Sequence, residues 1–214
     1  RLGEHTEEVL KEWSASPPER RGLSPSAVPV GNGNEEPPLP LKGFRILDFS
    51  RVWAGPFMTR YFAELGADII KVESEMLPDR AQAQGAFSFN FSEIQRGKRS
   101  ITLNMSHEGS IALVERLVEQ CDVVIENFRA GVLEGWGIGY QRMKQVNPRI
   151  IYLSMPGFGN SGPNVDFLSY GQSLLAYTGL MDMWAHPESD GRTRPKVPLP
   201  DFIAAASGAC ALLS

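Results

Sequence analysis

The sequence contains little cysteine and little histidine, which bears on two kinds of site. The only cysteines are Cys121 and Cys210, and each lies in an apolar stretch. We therefore expect two buried, unpaired thiols and a cytoplasmic protein without disulfides. The three histidines, His5, His107 and His186, are far apart and lack the spacing of metal ligands, so no metal site is predicted.

Long apolar runs and an excess of positive charge are also missing. No stretch is long enough to cross a bilayer as a helix, and no signal peptide is visible. The formal net charge is −4 at pH 7, whereas general nucleic-acid binding needs clustered cations. We expect neither a membrane partner nor a nucleic-acid partner. The hydrophobic content of 42% is typical of a globular domain.

The clearest pattern in the chain lies at residues 41–73. Apolar runs at 44–49 and 67–72 predict two buried strands, and the residues between them predict a helix with Pro56 at its first position. A strand, a crossover helix and a parallel strand form a right-handed unit. Sheets built this way bind ligands at the carboxyl ends of their strands. A site is therefore expected at residues 50–55.

The remainder of the domain repeats this alternation of strand and helix. Three more strands are predicted at 100–105, 122–125 and 150–154, and a final helix is predicted from Phe202 onward. Residues 74–95 are predicted to be irregular. Five strands alternating with helices indicate an α/β fold with a doubly wound, mostly parallel sheet.

The first 40 residues differ in composition from the rest. Residues 1–13 predict a short amphipathic helix, and residues 14–40 have the Pro, Ser, Gly, Asn and Glu content of a flexible linker. The globular domain is expected to begin at about Leu41. The chain begins without Met and stops within an apolar, alanine-rich segment, so we expect a piece of a longer protein.

Asp201 is the strongest candidate for a catalytic residue. It follows Pro200 and precedes an apolar helix. The spacing alone favours an N-cap carboxylate that accepts helix N–H groups, and the alternative is a carboxylate nucleophile. The two roles are compatible, because a helix N-terminus stabilises the anion and supplies donors near charge that develops during acyl transfer.

Two further segments carry groups that suit a nucleotide ligand. In Asn127-Phe128-Arg129, Phe128 could stack on a base and Arg129 could pair with a phosphate, although a plain turn is equally compatible with this segment. The basic run at 96–99 is either a solvated surface or a phosphate-binding cluster. The sequence favours neither interpretation.

Six segments follow one another with plausible gaps between residue 41 and the end of the chain. They are ILDFSRVWAGP, LGADIIKVE, RGKRSITLNM, DVVIENFRAGV, NPRIIYLSMPGFG and the helix start at Asp201. Together they resemble the N-terminal half of the class III CoA-transferases, the family of formyl-CoA and carnitine CoA-transferases. The resemblance implies a Rossmann-like fold, a second lobe absent from this chain, and interlocked ring-shaped homodimers.

Residues 1–13 resemble the C-terminal tail of the same family. The chain is therefore interpreted as the junction of a tandem fusion. It would contain the tail helix of a preceding copy at 1–13, a flexible linker at 14–40, and a truncated CoA-binding domain at 41–214. In such a protein a tandem pseudo-dimer would take the place of the homodimer.

The resemblance also implies which residues form the site. Asp201 falls at the position of the nucleophilic aspartate, and Tyr170 falls at that of a tyrosine lining the acyl site. The implied coenzyme A contacts follow four strands and are Trp53, Ala54, Ser74, Leu103, Asn104, Met105, Ser106, Asn127, Phe128 and Arg129. The implied co-substrates are an acyl-CoA and a free carboxylic acid. No metal is needed, because a carboxylate is already anionic at neutral pH.

Two residues depart from the family pattern. Trp53 stands where formyl-CoA transferases that use oxalate carry glutamine, so we do not expect oxalate as a substrate. Ser74 replaces a frequent arginine that helps to hold the nucleotide phosphates. Either the coenzyme A contacts are weaker here, or a cation of the basic run, Arg96, Lys98 or Arg99, compensates.

Three alternative functions follow from the same residues. An α-methylacyl-CoA racemase of the same superfamily would pair a histidine with the aspartate, but this chain has Gly171 at that position, so racemase ranks below transferase. A non-catalytic half of a tandem protein would keep the aspartate for packing alone. A plain nucleotide-binding module would bind coenzyme A without exchanging acyl groups.

Overall fold

The structure, a computed structural model, describes four ranges of the chain, which are residues 3–14, 39–79, 89–188 and 197–214. The predicted linker at 14–40 lies almost entirely outside the described residues. Within the four ranges, no helix combines the length and the apolar character that crossing a bilayer requires.

A five-stranded parallel sheet forms the centre of the fold. Its strands are β1 (Arg45–Asp48), β2 (Asp68–Glu73), β3 (Arg99–Thr102), β4 (Val123–Glu126) and β5 (Ile151–Ser154). The order across the sheet is β3-β2-β1-β4-β5, and every pairing is parallel. Each strand lies at one of the predicted apolar runs, so the predicted α/β class with a parallel sheet is confirmed.

Helices cover both faces of this sheet. They are α1 (Thr6–Ser14), α2 (Ala54–Glu64), α3 (Phe89–Ile94), α4 (Glu108–Gln120), α5 (Val132–Gly135), α6 (Tyr140–Val146), α7 (Gly171–Tyr177), α8 (Leu180–Met183) and α9 (Leu199–Leu213). Leu47 and Val124 belong to the core with α1, α4 and α6, whereas their neighbours Ile46 and Val123 pack with α2 and α9. Successive strand residues point to opposite faces, which gives the sheet a core on each side.

The final helix begins earlier than predicted. α9 starts at Leu199, with Pro198 at its N-cap, and Asp201 therefore lies within the first turn. The prediction that Asp201 is the N-cap residue was wrong. A carboxylate in the first turn still lies near the positive end of the helix dipole.

Three other local predictions also need correction. α2 begins at Ala54, so Pro56 is the third helical residue rather than the first. Its missing N–H is still one of the four that have no partner within a helix. The segment at 74–95 contains α3 and is not wholly irregular. Cys121 is buried as expected, but Cys210 is exposed.

Helix α1 packs against β3, the strand at one edge of the sheet. Trp13 is buried in the core that α1 shares with the sheet. His5 Nδ1 accepts a hydrogen bond from the Ser100 N–H at 3.1 Å, and Thr6 Oγ1 accepts one from the Thr102 N–H at 3.2 Å. The N-terminal segment therefore occupies backbone donors that an edge strand otherwise leaves open. Its origin in a preceding copy stays a prediction.

Candidate functional site

A cavity of about 330 Å³ lies at the carboxyl ends of β1, β2, β3 and β4. This is the edge of an open parallel sheet at which ligands bind. Six of the ten residues that the resemblance assigned to coenzyme A line the cavity, and they are Ser74, Leu103, Asn104, Met105, Ser106 and Phe128. The structure therefore brings together residues from the ends of three separate strands.

The other four assigned residues do not line this cavity. Ala54 is buried at the start of α2, and Arg129 is exposed to solvent. The side chain of Asn127 engages the loop after β1, where its Oδ1 accepts the Arg51 N–H at 2.6 Å and its Nδ2 donates to the Arg51 carbonyl at 2.7 Å. Because the side-chain oxygen and nitrogen of Asn127 both bond to backbone atoms of Arg51, Asn127 fixes the position of the loop.

The loop after β1 contains an unusual backbone conformation at Val52. Its φ is +68°, and among the described residues it is the one non-glycine residue with positive φ. Such a φ is a genuine outlier for a β-branched side chain. The Val52 N–H donates to Asp79 Oδ2 at 2.8 Å, and Arg51 Nη2 donates to the Leu77 carbonyl at 2.5 Å. These bonds join the loop to the segment that follows β2.

Trp53, the next residue, packs on the first turn of α9. Its ring centroid lies 5.8 Å from that of Phe202 in an edge-to-face arrangement and 6.1 Å from that of Phe57 in a stacked one. Phe202 is the chain neighbour of Asp201. Residues 51–53 thus connect the cavity, which Arg51 lines, with the helix that carries the candidate nucleophile.

The Asp201 carboxyl group is partly buried and lies against the start of α7. A Cβ atom placed on Gly171 would overlap Asp201 Oδ2. Burial raises the pKa of Asp201 to about 6, and a hydrogen bond from the Gly171 backbone opposes this rise. A carboxyl group with this pKa is still mostly ionised at neutral pH. Tyr170, the residue before Gly171, is 44% exposed.

A buried cluster of charges lies beneath the loop after β1. Asp48 is fully buried, and its Oδ2 is 3.4 Å from Lys98 Nζ while its Oδ1 is 4.0 Å from Lys71 Nζ. Burial acts to raise the pKa of Asp48, but the charges of Lys71 and Lys98, together with hydrogen bonds from the Ser50 and Thr59 hydroxyls, outweigh it and leave the pKa below its usual value. Lys71 also donates to the Ser50 carbonyl and lines the cavity, so the cluster supports the floor of the site.

The basic run at 96–99 does not reach the cavity. Lys98 belongs to the buried cluster, where burial lowers its pKa to about 7. Arg96 pairs with Glu64 at 2.7 Å, and Arg99 pairs with Asp68 at 2.6 Å. None of these three cations therefore lines the cavity to compensate for the serine after β2, which was one of the two alternatives left open by the sequence. Both earlier interpretations of this run fail for Lys98, which is an internal structural residue.

Phe128 and Trp136 form an aromatic wall of the cavity. Their ring centroids are 5.4 Å apart, with an interplanar angle of 74°. The Phe128 N–H donates to Glu126 Oε2 at 2.7 Å, which fixes the chain direction after β4. Burial raises the pKa of Glu126. An aromatic wall of this kind can stack on a planar base.

Sequence reasoning missed several residues that line the cavity, notably Lys71, Asp79 and Trp136, whereas Arg51 falls in the range 50–55 where a site was expected. Trp136 follows a glycine in a short helix, where nothing in the residue pattern distinguishes a ligand contact from a core position. In the described ranges, no group of three or more His, Cys, Asp or Glu side chains could hold a metal ion.

The chain is similar in sequence to known CoA-transferases. The family model described as CoA-transferase family III matches residues 41–214. A succinate–glutarate CoA-transferase of Agrobacterium fabrum is 38% identical over 166 residues, which cover 72% of this chain and 41% of that protein. An acetyl-CoA:oxalate CoA-transferase of Acetobacter aceti is 36% identical over 157 residues, which cover 72% of this chain and 40% of that protein.

Solved structures show the same relationship. A CaiB/BaiF family protein from Brucella suis superposes with a TM-score of 0.75 at 34% identity, over 81% of this chain and 48% of that one. A hypothetical protein from Mycobacterium tuberculosis superposes with a TM-score of 0.76 at 31% identity, over 83% of this chain and 50% of that one. The chain spans about two fifths of the length of the curated relatives described above.

Proposed function

This chain belongs to CoA-transferase family III, and on that basis we propose that the protein carrying it moves coenzyme A from an acyl-CoA to a free carboxylic acid. The transfer would pass through a covalent intermediate on Asp201. The observation that supports this most directly is the continuity of residues 51–53. Arg51 lines the cavity, and Trp53 packs on Phe202 beside Asp201.

We assign the nucleotide end of coenzyme A to the cavity. A volume of about 330 Å³ suits a ligand of drug-like size, which corresponds to part of coenzyme A and not to its whole length. The aromatic wall of Phe128 and Trp136 would face the base. The charged residues of the lining are Arg51, Lys71, Glu73 and Asp79. Because the two signs balance, apolar and stacking contacts would contribute most of the binding.

The reactive end of the ligand would then follow the loop to Asp201. A carboxylate oxygen of Asp201 attacks the thioester carbonyl carbon, the C–S bond breaks, and the coenzyme A thiolate leaves. The product is a mixed anhydride between the acyl group and Asp201. The thiolate next attacks the Asp201 carbonyl carbon and expels the acyl group as its carboxylate, which leaves a thioester on the enzyme.

The acceptor acid repeats these steps in reverse. Its carboxylate attacks the thioester carbonyl of Asp201 and releases the thiolate, which forms a second mixed anhydride. The thiolate attacks the acceptor carbonyl of that anhydride, and the new acyl-CoA leaves with Asp201 restored as a carboxylate. Each step exchanges one oxygen or sulfur nucleophile for another, so protons and electrons balance without an added group.

The environment of Asp201 suits a carboxylate nucleophile. Burial raises its pKa to about 6, which leaves it ionised at neutral pH but less solvated than a surface carboxylate. The Gly171 backbone and the first turn of α9 hold its orientation. Near-attack geometry of this kind contributes strongly to rate.

On the acyl side, we propose that Trp53 and Tyr170 border the pocket. Trp53 is bulkier than the glutamine of the oxalate-using enzymes, so oxalate is not the acceptor we expect. Succinate and glutarate appear in the name of a relative, and they are the first acceptors to assay. Aromatic and carnitine-like acids form the second group.

A racemase reaction is poorly compatible with this backbone. A Cβ atom at Gly171 would overlap Asp201 Oδ2 and approach the Pro198 Cβ to 2.8 Å. A histidine at that position therefore has no room while Asp201 keeps its place. An assay for exchange of the α-proton of an acyl-CoA would show the racemase reaction directly.

We further propose that the complete site needs the second lobe that the family resemblance implies, supplied within an interlocked homodimer or a tandem pseudo-dimer. The 214-residue chain by itself is then expected to bind part of coenzyme A but not to transfer it.

Covalent trapping in the full-length protein tests the proposed function. The protein is incubated with succinyl-CoA and then with hydroxylamine, which converts an activated aspartyl group to a hydroxamate. We expect modification at Asp201 that depends on the acyl-CoA, and loss of turnover in Asp201→Ala. Turnover retained by Asp201→Ala would overturn the nucleophile assignment. A protein that binds coenzyme A but neither reacts nor turns over would be a non-catalytic half.

A further inference from the structure

We propose that Asp79 is a positioning residue for the transfer reaction, because it holds Val52 in a left-handed conformation and so fixes the loop between the cavity and Asp201. This inference rests on the proposed transferase function. It concerns a residue that neither the sequence pattern nor the family resemblance singled out.

Val52 has a strained backbone conformation. With φ at +68°, it occupies a region that glycine enters freely and a β-branched residue does not. Such a conformation persists only where the surroundings over-determine it. The contacts of this loop must therefore include one that selects the left-handed form.

The contact that selects this form is the hydrogen bond from the Val52 N–H to Asp79. Asp79 is 7% exposed, and its Oδ2 accepts the Val52 N–H at 2.8 Å. A buried hydrogen bond is electrostatically stronger than one exposed to water. The Arg51 N–H and carbonyl are already held by Asn127. The Val52 N–H is thus the point at which the segment after β2 acts directly on the strained residue.

A change of Val52 to negative φ would displace Trp53. Trp53 follows Val52 directly, and its ring packs against Phe202 and Phe57. A rotation of Val52 to negative φ would redirect the chain into Trp53 and loosen the packing beside Asp201. The aromatic wall of the cavity follows β4 and α5 and lies outside this loop, and Asn127 holds the Arg51 backbone without Asp79. Loss of Asp79 should therefore reduce the chemical step more than binding.

Asp79 also lines the cavity, so a direct contact with the ligand is the competing explanation. A substitution at Val52 distinguishes the two explanations. If Asp79 acts by holding Val52 at positive φ, a glycine at position 52 removes the need for it, since glycine adopts this conformation at no steric cost. If Asp79 contacts the ligand, a glycine at position 52 changes nothing.

The experiment is a double-mutant cycle of Asp79→Ala and Val52→Gly in the full-length protein, assayed with succinyl-CoA and glutarate. We expect Asp79→Ala to lower kcat by about tenfold or more, with KM for the acyl-CoA changed by less than about threefold. In the Val52→Gly background, the same change should cost less than about threefold in kcat. Asp79→Asn keeps an oxygen acceptor and should fall between wild type and Asp79→Ala.

The matched control is Glu75→Ala, which removes an exposed carboxylate from the same segment. It should leave kcat and KM unchanged. Hydrogen exchange of a peptide spanning residues 50–57 supplies a second readout that needs no activity. The Val52 amide should exchange faster in Asp79→Ala than in wild type, because its acceptor is gone.

An equal loss in both Val52 backgrounds, or a loss confined to KM, would overturn the positioning role. Unchanged amide exchange in Asp79→Ala would overturn it as well. Failure of the proposed function looks different, since wild-type protein would then show no transfer and no modification at Asp201. A wild type that transfers coenzyme A while the cycle shows no rescue would refute only the inference about Asp79.

Discussion

Gly171 lies so close to Asp201 that a single added carbon on the glycine would occupy the space of Asp201 Oδ2. The start of one helix therefore fixes the carboxylate carried in the first turn of another. This contact explains both the orientation of Asp201 and its partial burial. It also gives the most direct mutational test of the site.

We expect Gly171→Ala to lower kcat by at least about tenfold, because misplacing a reacting group by about 1 Å can cost a hundredfold. The measurement is steady-state kinetics of the full-length variant, with its thermal midpoint as a check on folding. Gly135→Ala is the control, since a Cβ there meets no described atom within 4 Å and the residue lacks positive φ. Wild-type kcat in a folded Gly171→Ala protein would contradict the placement of Asp201.

The pH dependence of the reaction should report the ionisation of Asp201. Burial raises its pKa to about 6, and the proposed nucleophile is the ionised form. Activity is therefore expected above this value and should fall as pH decreases through it, by about tenfold per unit for a single proton. A profile of kcat/KM between about pH 3.5 and 8 measures this. A limb near pH 4 would mean that Asp201 is solvated in the working enzyme.

Removing Asp48 should destabilise the fold strongly. Asp48→Ala leaves Lys71 and Lys98 buried without their carboxylate partner, and removing one partner of a buried ion pair costs about 3–5 kcal/mol. Denaturant unfolding measures the change. Glu115→Ala breaks the exposed pair with Arg142 and should leave the free energy of unfolding nearly unchanged. Similar losses in the two variants would contradict the buried-cluster account.

Trp136 should contribute to coenzyme A affinity. Stacking on an aromatic side chain is worth about 1–3 kcal/mol per base, so Trp136→Ala should raise the Kd for coenzyme A by about fivefold or more. Trp136→Phe should retain most of the affinity. Titration calorimetry on the full-length protein measures both. Trp184→Ala is the control, because that exposed tryptophan does not line the cavity.

The positions of the strands along the chain follow from the sequence more readily than the site does. A strand buried on both faces is a short apolar run, and the runs near Leu47 and Val124 are bounded clearly enough to be placed. The sequence also singled out the candidate Asp201, although the helix that carries it starts at Leu199, three residues before the predicted start at Phe202. The strand positions and the candidate Asp201 can be recognised from the residues nearby in the sequence.

The site depends instead on contacts between distant segments. Lys98 looked like a surface cation among other basic residues, yet its partner Asp48 lies 50 residues away in the chain. Asp79 has no signature because it binds a backbone N–H group, and the φ of Val52 cannot be inferred from a valine. Features that arise from tertiary packing carry no local pattern.

The N-terminal helix has a practical consequence for the choice of domain boundaries. The family match begins at Leu41, so a fragment trimmed to it would lose the segment that covers β3. The amides of Ser100 and Thr102 would then face solvent along an open strand. Open strands pair with one another, and such a fragment would be prone to edge-to-edge aggregation during purification. A fragment for crystallisation should therefore begin before His5.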